Sequence, residues 1–121
     1  MSKKTIKKIL ITGANGFIGN TLMRYYQNND QAVVGVDLVG NGSDIIKGDI
    51  ADPESIAHLL AQCDVIIHTA ALVSNAMADN DMWRVNVLAT SNLIASAKKY
   101  KVRRFVQISS IVAYGNDAEG E

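Results

Sequence analysis

The sequence predicts an α/β fold in which a parallel sheet is wound with helices on both faces. Three observations carry this expectation. Short, wholly apolar runs recur along the chain, as required of strands buried on both faces. Segments of 3.6-residue periodicity separate most of these runs. Glycine-rich or polar turns follow the carboxyl ends of the runs, where such sheets place their ligands. Right-handed crossovers then favour the strand order 3-2-1-4-5, with a cleft between the first and fourth strands where the order reverses.

Ile9-Leu10-Ile11 is the first apolar run, followed by a glycine-rich turn. Ile18, Leu22, Tyr25 and Tyr26 then fall at helical spacing, and Asn28-Asn29-Asp30 stops that helix. Ala32 to Asp37 reads as the second strand and Gly40-Asn41-Gly42-Ser43 as a loop. Ile45-Ile46 is a short third strand ending at Gly48-Asp49. Asp52-Pro53 has the form of a helix start, with Asp as N-cap and Pro in the first helical position, and Ile56, Leu59 and Leu60 supply the buried stripe. Val65-Ile66-Ile67 is the fourth strand. The longest helical pattern runs from Asp81 to Tyr100, with Met82, Val85, Ala89, Leu93, Ala97 and Tyr100 on one apolar face and Trp83, Val87 and Ile94 on a second. Phe105 to Ile108 is the fifth strand.

Composition narrows the function classes. The 121 residues carry 12 basic and 12 acidic side chains and are 48% hydrophobic, which fits a packed core and gives no net field toward nucleic acid or an anionic membrane. The single cysteine, Cys63, has no internal disulfide partner. Neither a signal core nor a run of about 20 apolar residues appears, so the expectation is a cytoplasmic protein without membrane or nucleic-acid partners. Lys98, Lys99, Lys101, Arg103 and Arg104 cluster at a helix end, where cations suit the helix dipole, and no aromatic platform for bases accompanies them. His58 and His68 lie ten residues apart with no third ligand nearby, so no metal site is expected.

The turn after the first strand carries the chemistry. In Thr12-Gly13-Ala14-Asn15-Gly16-Phe17-Ile18-Gly19 the glycines follow G-x-x-G-x-x-G, a variant of the dinucleotide fingerprint. Gly13 permits the tight turn, Gly16 the approach of a pyrophosphate, and Gly19 close helix packing, while the helix N-terminus offers free N–H groups to phosphates. Asp37 closes the second strand 18 residues past Gly19, close to the spacing of the acid that accepts hydrogen bonds from the adenosine ribose. A carboxylate repels a 2′-phosphate and neither Leu38 nor Val39 offers a cation, which favours NAD over NADP. The sheet is therefore expected to be of Rossmann type.

Further strand-end residues extend the pattern: Asp49-Ile50, His68-Thr69-Ala70-Ala71, Asn86, and Ser109-Ser110-Ile111-Val112-Ala113-Tyr114-Gly115. With these the chain, from Lys8 to Gly115, resembles the N-terminal part of the extended short-chain dehydrogenase/reductases, the NAD-dependent epimerase/dehydratase group that acts largely on nucleotide sugars. The resemblance implies that Gly13, Asn15, Gly16, Phe17, Ile18 and Gly19 cradle the pyrophosphate and that Asp37 holds the ribose. It implies that Asp49 and Ile50 border the adenine, and that Ala70, Ala71 and Leu72 line the nicotinamide side. Asn86 matches the asparagine that organises backbone and water near the active site, and Ser110 the hydroxyl that bonds the reacting substrate oxygen. Tyr114 and His68 match positions that more often pack or hydrogen-bond than react.

One departure is large. The family depends on a Tyr-x-x-x-Lys pair whose lysine lowers the tyrosine pKa, and Tyr25, Tyr26, Tyr100 and Tyr114 are followed four residues later by Asn29, Asp30, Arg104 and Ala118. The last strands and the substrate lobe of the much longer family chains have no counterpart either. Residues 1–121 are thus expected to be the N-terminal portion of an NAD-binding domain, inactive alone and leaving the outer edge of the fifth strand open for pairing. An NAD-dependent enzyme passing a hydride transiently from a nucleotide sugar is one function consistent with this. A hydroxysteroid- or dihydroflavonol-type reductase is a second, and a non-catalytic NAD-binding regulatory module a third. A homodimer through the Asp81–Tyr100 helix is also expected.

Overall fold

The computed structural model describes residues 7–69 and 79–108, with side chains for 7–69 and 87–108. In chain order the elements are β1 (Ile9–Thr12), α1 (Phe17–Asn28), β2 (Val33–Asp37), β3 (Ile45–Lys47), a 3-10 turn (Pro53–Ile56) running into α2 (Ala57–Leu60), β4 (Val65–His68), α3 (Asp79–Lys99) and β5 (Arg104–Gln107). The five strands form one sheet in the order β3-β2-β1-β4-β5, and every pairing is parallel. This is the predicted Rossmann-type order. The register pairs Ile11 with Gly35 and Ile67, and Thr12 with Val36 and His68, so β1 and β4 end level and β2 runs one residue further, to Asp37.

The all-apolar strands follow from burial on both faces. Side chains alternate between the two sides of a strand, and the core divides accordingly. Leu10, Val36 and Ile66 face Ile56, Leu59, Leu60, Leu93 and Ala97 on the α2–α3 side. Ile9, Ile11, Val65 and Ile67 join Ala14, Met23 and Ile45 on the α1 side. β5 pairs with β4 alone, and along it Arg104, Val106 and Gln107 are exposed. Its other edge carries no strand among the described residues.

Helix α1 buries a face rotated from the predicted one. Gly19 and Met23 are its buried residues, with Leu22 and Tyr26 packed beside them, whereas Ile18 and Tyr25 are exposed. The glycine explains the rotation. A Cβ at Gly19 would stand 2.2 Å from the Gly13 carbonyl oxygen and 2.9 Å from Ala14 Cα, so only glycine lets this face meet the turn. Tyr25 turns outward and meets Tyr26 edge-on, with ring centroids 5.3 Å apart. The helix ends where Asp30 takes a left-handed φ of 59°, and the Asn29 side chain donates to the Tyr25 carbonyl.

The expected helix start at Asp52-Pro53 is also modified. Pro53 does open the segment, but Asp52 makes no side-chain cap. The first turn is 3-10, and the amide and hydroxyl of Ser55 both donate to the Asp52 carbonyl, so the capping residue acts through its backbone. In α3, Ala89, Leu93 and Ala97 are buried as expected, while Val87 and Ile94 are exposed. Met82, Trp83 and Val85 lie outside the described side chains.

Two polar side chains, Thr12 and His68, are buried among the described residues. His68, at the end of β4, is 3% exposed. Its Nδ1 lies 2.7 Å from Thr12 Oγ1 and its Nε2 lies 3.0 Å from Thr90 Oγ1 on α3, and Phe105 of β5 stands 5.9 Å away, ring centre to ring centre. A neutral imidazole has one donor and one acceptor nitrogen, which suits a bridge between two hydroxyls. Burial pushes the His68 pKa below its ordinary 6.5, because the charged form would be desolvated.

Two predictions follow from this packing. The substitution Gly19→Ala is expected to lower the unfolding free energy by roughly 1–3 kcal/mol, the usual cost of forcing atoms into a filled site. Urea denaturation measures it, and an unchanged midpoint would mean that the helix can back away freely from the turn. The second concerns acid. Since the unfolded chain takes up a proton near pH 6.5 and the folded chain only at lower pH, stability is full above that value and declines as pH falls through the window below it. Urea midpoints from about pH 7.5 to about pH 5 should therefore fall less in His68→Gln than in the wild type, and equal slopes would contradict a buried neutral His68.

Candidate functional site

The site is the turn between β1 and α1 with the strand ends beside it. Gly13 has φ of +68°, the left-handed conformation that turns the chain sharply after Thr12. Its carbonyl accepts from the Gly16 amide at 3.0 Å. Ala14 is fully buried against β2, where its amide donates to the Val36 carbonyl. A Cβ on Gly35 would come within 2.5 Å of Ala14 Cβ, so two small residues in two elements allow the turn to dock on the sheet.

Gly16 is the N-cap of α1, with extended backbone and no side-chain cap. Its carbonyl accepts the first helical bond, from Asn20. The amides of the first turn therefore have no intrahelical acceptor, and the helix dipole adds partial positive charge where they emerge. No side chain at position 16 screens them, and Phe17, the first helical residue, is 88% exposed. Such a terminus takes an anion with oxygens to share among several N–H groups.

Asp37 braces this turn from β2. One carboxylate oxygen accepts from the Asn15 amide at 2.9 Å and the other from the Leu38 amide at 2.8 Å. The Asn15 side chain donates in turn to the Val39 carbonyl at 2.7 Å. These bonds hold the glycine turn against the chain leaving β2. Each carboxylate oxygen keeps a second acceptor position, so Asp37 is still able to receive a pair of hydroxyl donors. Lys47 is its register neighbour on β3, a cation that the sequence reading did not place near Asp37.

Beyond β3, Asp49 is exposed and its side chain accepts from the Ala51 amide, while Ile50 packs partly buried against the core. Thr69, after β4, donates its hydroxyl to the Thr12 carbonyl at 2.6 Å and approaches the Gly13 carbonyl at 3.3 Å. Gly13, Asn15, Gly16, Phe17, Ile18 and Asp37 thus meet at this turn, with Gly19 buried beneath it and Thr69 at its β4 side. Ala70, Ala71, Leu72, Ser110 and Tyr114 lie outside the described residues, as does the side chain of Asn86 in α3. Sequence reasoning missed Thr12 and Thr90 as partners of His68, and Thr69 as a partner of Thr12. The signal available was a polar residue closing each of two otherwise apolar strands that end side by side.

A separate shallow groove of about 410 Å³ runs between the loop after β2 and β3, lined by Leu38, Val39, Gly40, Gly42, Ile45, Ile46 and Lys47. It sits at the sheet edge rather than at the β1–β4 switch point. Among the described residues no cluster of His, Cys, Asp and Glu is arranged to hold a metal, and no helix is long and apolar enough to cross a membrane.

The residues fit a dinucleotide on structural grounds. The cradle is one that a Cβ at Gly16 or Gly19 would crowd, the helix N-terminus is uncapped, and a carboxylate stands at the end of β2. Comparison with known proteins agrees. The 2-alkyl-3-oxoalkanoate reductase of Stenotrophomonas maltophilia is 30% identical in an alignment 111 residues long that covers 85% of this chain and 33% of the relative. A short-chain dehydrogenase/reductase superfamily protein from Agrobacterium tumefaciens, solved with bound NAD, superposes with a TM-score of 0.78 at 32% identity, covering 89% of this chain and 34% of that one. MoeE5, solved in complex with UDP-glucose and NAD, gives 0.76 at 32% identity over 89% of this chain and 38% of that one. The chain spans about a third of the length of these relatives. The model of the NAD-dependent epimerase/dehydratase family matches residues 9–121. With its parallel 3-2-1-4-5 sheet and its glycine turn at the switch point, the chain belongs to the NAD-dependent epimerase/dehydratase family.

Proposed function

We propose that this chain is the NAD-binding portion of a cytoplasmic enzyme that acts on a nucleotide sugar by transient hydride transfer. The observation that carries the proposal is the uncapped N-terminus of α1, set by Gly16 and Gly19 directly behind the Gly13 turn and braced by Asp37. The first-turn amides of Phe17 and Ile18 would hold the pyrophosphate, with Gly16 giving it room to approach and the helix dipole opposing its charge. Asp37 would accept from the adenosine ribose with the acceptor positions that Asn15 and Leu38 leave open. Asp49 and Ile50 would border the adenine, the Asp accepting from its exocyclic amine. NAD, when bound, supplies a hydride acceptor. Ala70, Ala71 and Leu72 would face its nicotinamide end, Asn86 would order backbone and water there, and Ser110 would donate to or accept from the reacting substrate oxygen.

The general base is outside these assignments, because none of the four tyrosines has a lysine four residues on. Turnover therefore requires a base and substrate contacts that residues 1–121 do not supply, consistent with relatives about three times as long. The sugar-nucleotide reading draws on MoeE5, which was solved with UDP-glucose and NAD. The Stenotrophomonas relative favours a second reading, reduction of a small ketone on the same cofactor site. Homodimerisation would use the exposed Val87, Leu88 and Ile94 along α3.

The test is protection from heat. NAD is expected to raise the midpoint of thermal unfolding, and NADP at equal concentration to raise it less, because its 2′-phosphate would meet the Asp37 carboxylate. Asp37→Ala should weaken NAD roughly tenfold, about the effect of losing one charge-assisted hydrogen bond, and narrow the preference over NADP. Equal or better protection by NADP in the wild type would overturn the assignment of Asp37. Absence of protection by either would overturn the cofactor site.

A further inference from the structure

We propose that His68 is a positioning residue that locks the glycine turn and the chain after β4 to α3, so that the two sides of the cleft at the sheet's switch point move as one unit. The inference deepens the proposed cofactor role and rests on that reading for its binding arm alone. Its basis is a continuous hydrogen-bonded path. The Thr69 hydroxyl donates to the Thr12 carbonyl and reaches the Gly13 carbonyl, and the Thr69 amide donates to Thr12 Oγ1 at 3.1 Å. Thr12 Oγ1 meets His68 Nδ1 at 2.7 Å, and His68 Nε2 meets Thr90 Oγ1 at 3.0 Å.

Three features make this more than a satisfied core histidine. The path touches both ends of the cleft floor, since Gly13 opens the phosphate turn and Thr69 immediately precedes residues 70–72. It passes from β1 to β4 through the side chains that close those two strands, on the α3 face of the sheet whose deeper residues, Leu10 and Ile66, are apolar. It also fixes α3 in rotation as well as distance. Thr90 is a single hydroxyl on the helix, and a hydrogen bond tolerates little change in its direction. Asn86 lies four residues before Thr90, one helical turn away, so whatever sets the rotation of α3 at Thr90 sets it at Asn86 too. Apolar packing of Leu93 and Ala97 holds α3 against the sheet but is non-directional. The His68–Thr90 bond supplies direction. It follows that the side chains lining the cofactor cleft need no contact with His68 to depend on it.

The experiment separates positioning from mere stability. His68→Phe keeps an aromatic ring beside Phe105 and removes both bonds, His68→Gln keeps polar atoms at both ends, and Thr90→Val cuts only the link to α3. In the protein without nucleotide, hydrogen exchange at the amides of Ala14, Gly16 and Thr69 is expected to speed up roughly tenfold in His68→Phe, the loss of about one net hydrogen bond, and to be largely restored in His68→Gln. By calorimetric titration, NAD affinity is expected to fall roughly tenfold in His68→Phe, and Thr90→Val to add nothing further in the double variant. Unchanged exchange at those amides in both His68→Phe and Thr90→Val would overturn the proposal. So would NAD affinities equal to the wild type in folded variants, or additive losses in the double variant. If the wild type does not bind NAD while the exchange arm behaves as described, the cofactor reading fails and the lock stands. If His68→Phe does not fold, Thr90→Val alone decides on the same two readouts.

Discussion

The approach of α1 to the turn before it, so close that a single Cβ at Gly19 would stand 2.2 Å from the Gly13 oxygen, sets the geometry of everything around it. Helices on a sheet normally keep a side chain's thickness between backbones. Here two backbones meet directly, and the helix begins within the turn instead of beyond it. Its first amides consequently emerge at the carboxyl edge of β1, between the ends of β2 and β4. The same contact rotates α1 so that Met23 and Leu22 meet the sheet and Tyr25 faces water. A local steric requirement thus decides both which residues enter the core and where the positive end of the helix dipole points.

Around that contact the polar groups work as braces. Asp37 reaches the turn from β2, and Thr69 reaches it from β4. His68 then carries the connection through an apolar core to α3. A buried polar group is costly unless paired, and each ring nitrogen of His68 is paired. A flexible glycine turn loses much conformational entropy on ordering, and directional bonds from three elements limit how many arrangements it can take. The acceptor capacity left on Asp37 and the amides of Phe17 and Ile18 are then presented in a fixed arrangement, which reduces the entropy lost when a ligand binds.

Much of this was legible in the sequence because the signals were local. Ile9-Leu10-Ile11 and Val65-Ile66-Ile67 announce strands buried on both faces, and the glycine spacing with Asp37 announces the turn and its partner strand. The strand order followed from the handedness of crossovers. What escaped was set by contacts between distant segments. Ile18 and Tyr25 fit a helical stripe as well as Met23 does, and only the depth of Gly19 chooses between them. Asp52 has the composition of a cap, yet Ser55 takes over by bonding its carbonyl. The partnership of Thr12, His68 and Thr90 spans positions 12 to 90 and leaves no periodic trace. Lys47 came beside Asp37 only through the register of β2 and β3.

The account claims that the anion-binding terminus at β1–α1, and not the groove along β3, is where the nucleotide binds. Mapping backbone amide chemical shifts during a titration with NAD tests this most directly. The predicted result is that the largest changes fall on Asn15, Gly16, Phe17, Ile18 and Leu38, with Gly42 and Ile45 little affected. Changes centred on Gly40 to Lys47, with the glycine turn unmoved, would contradict it.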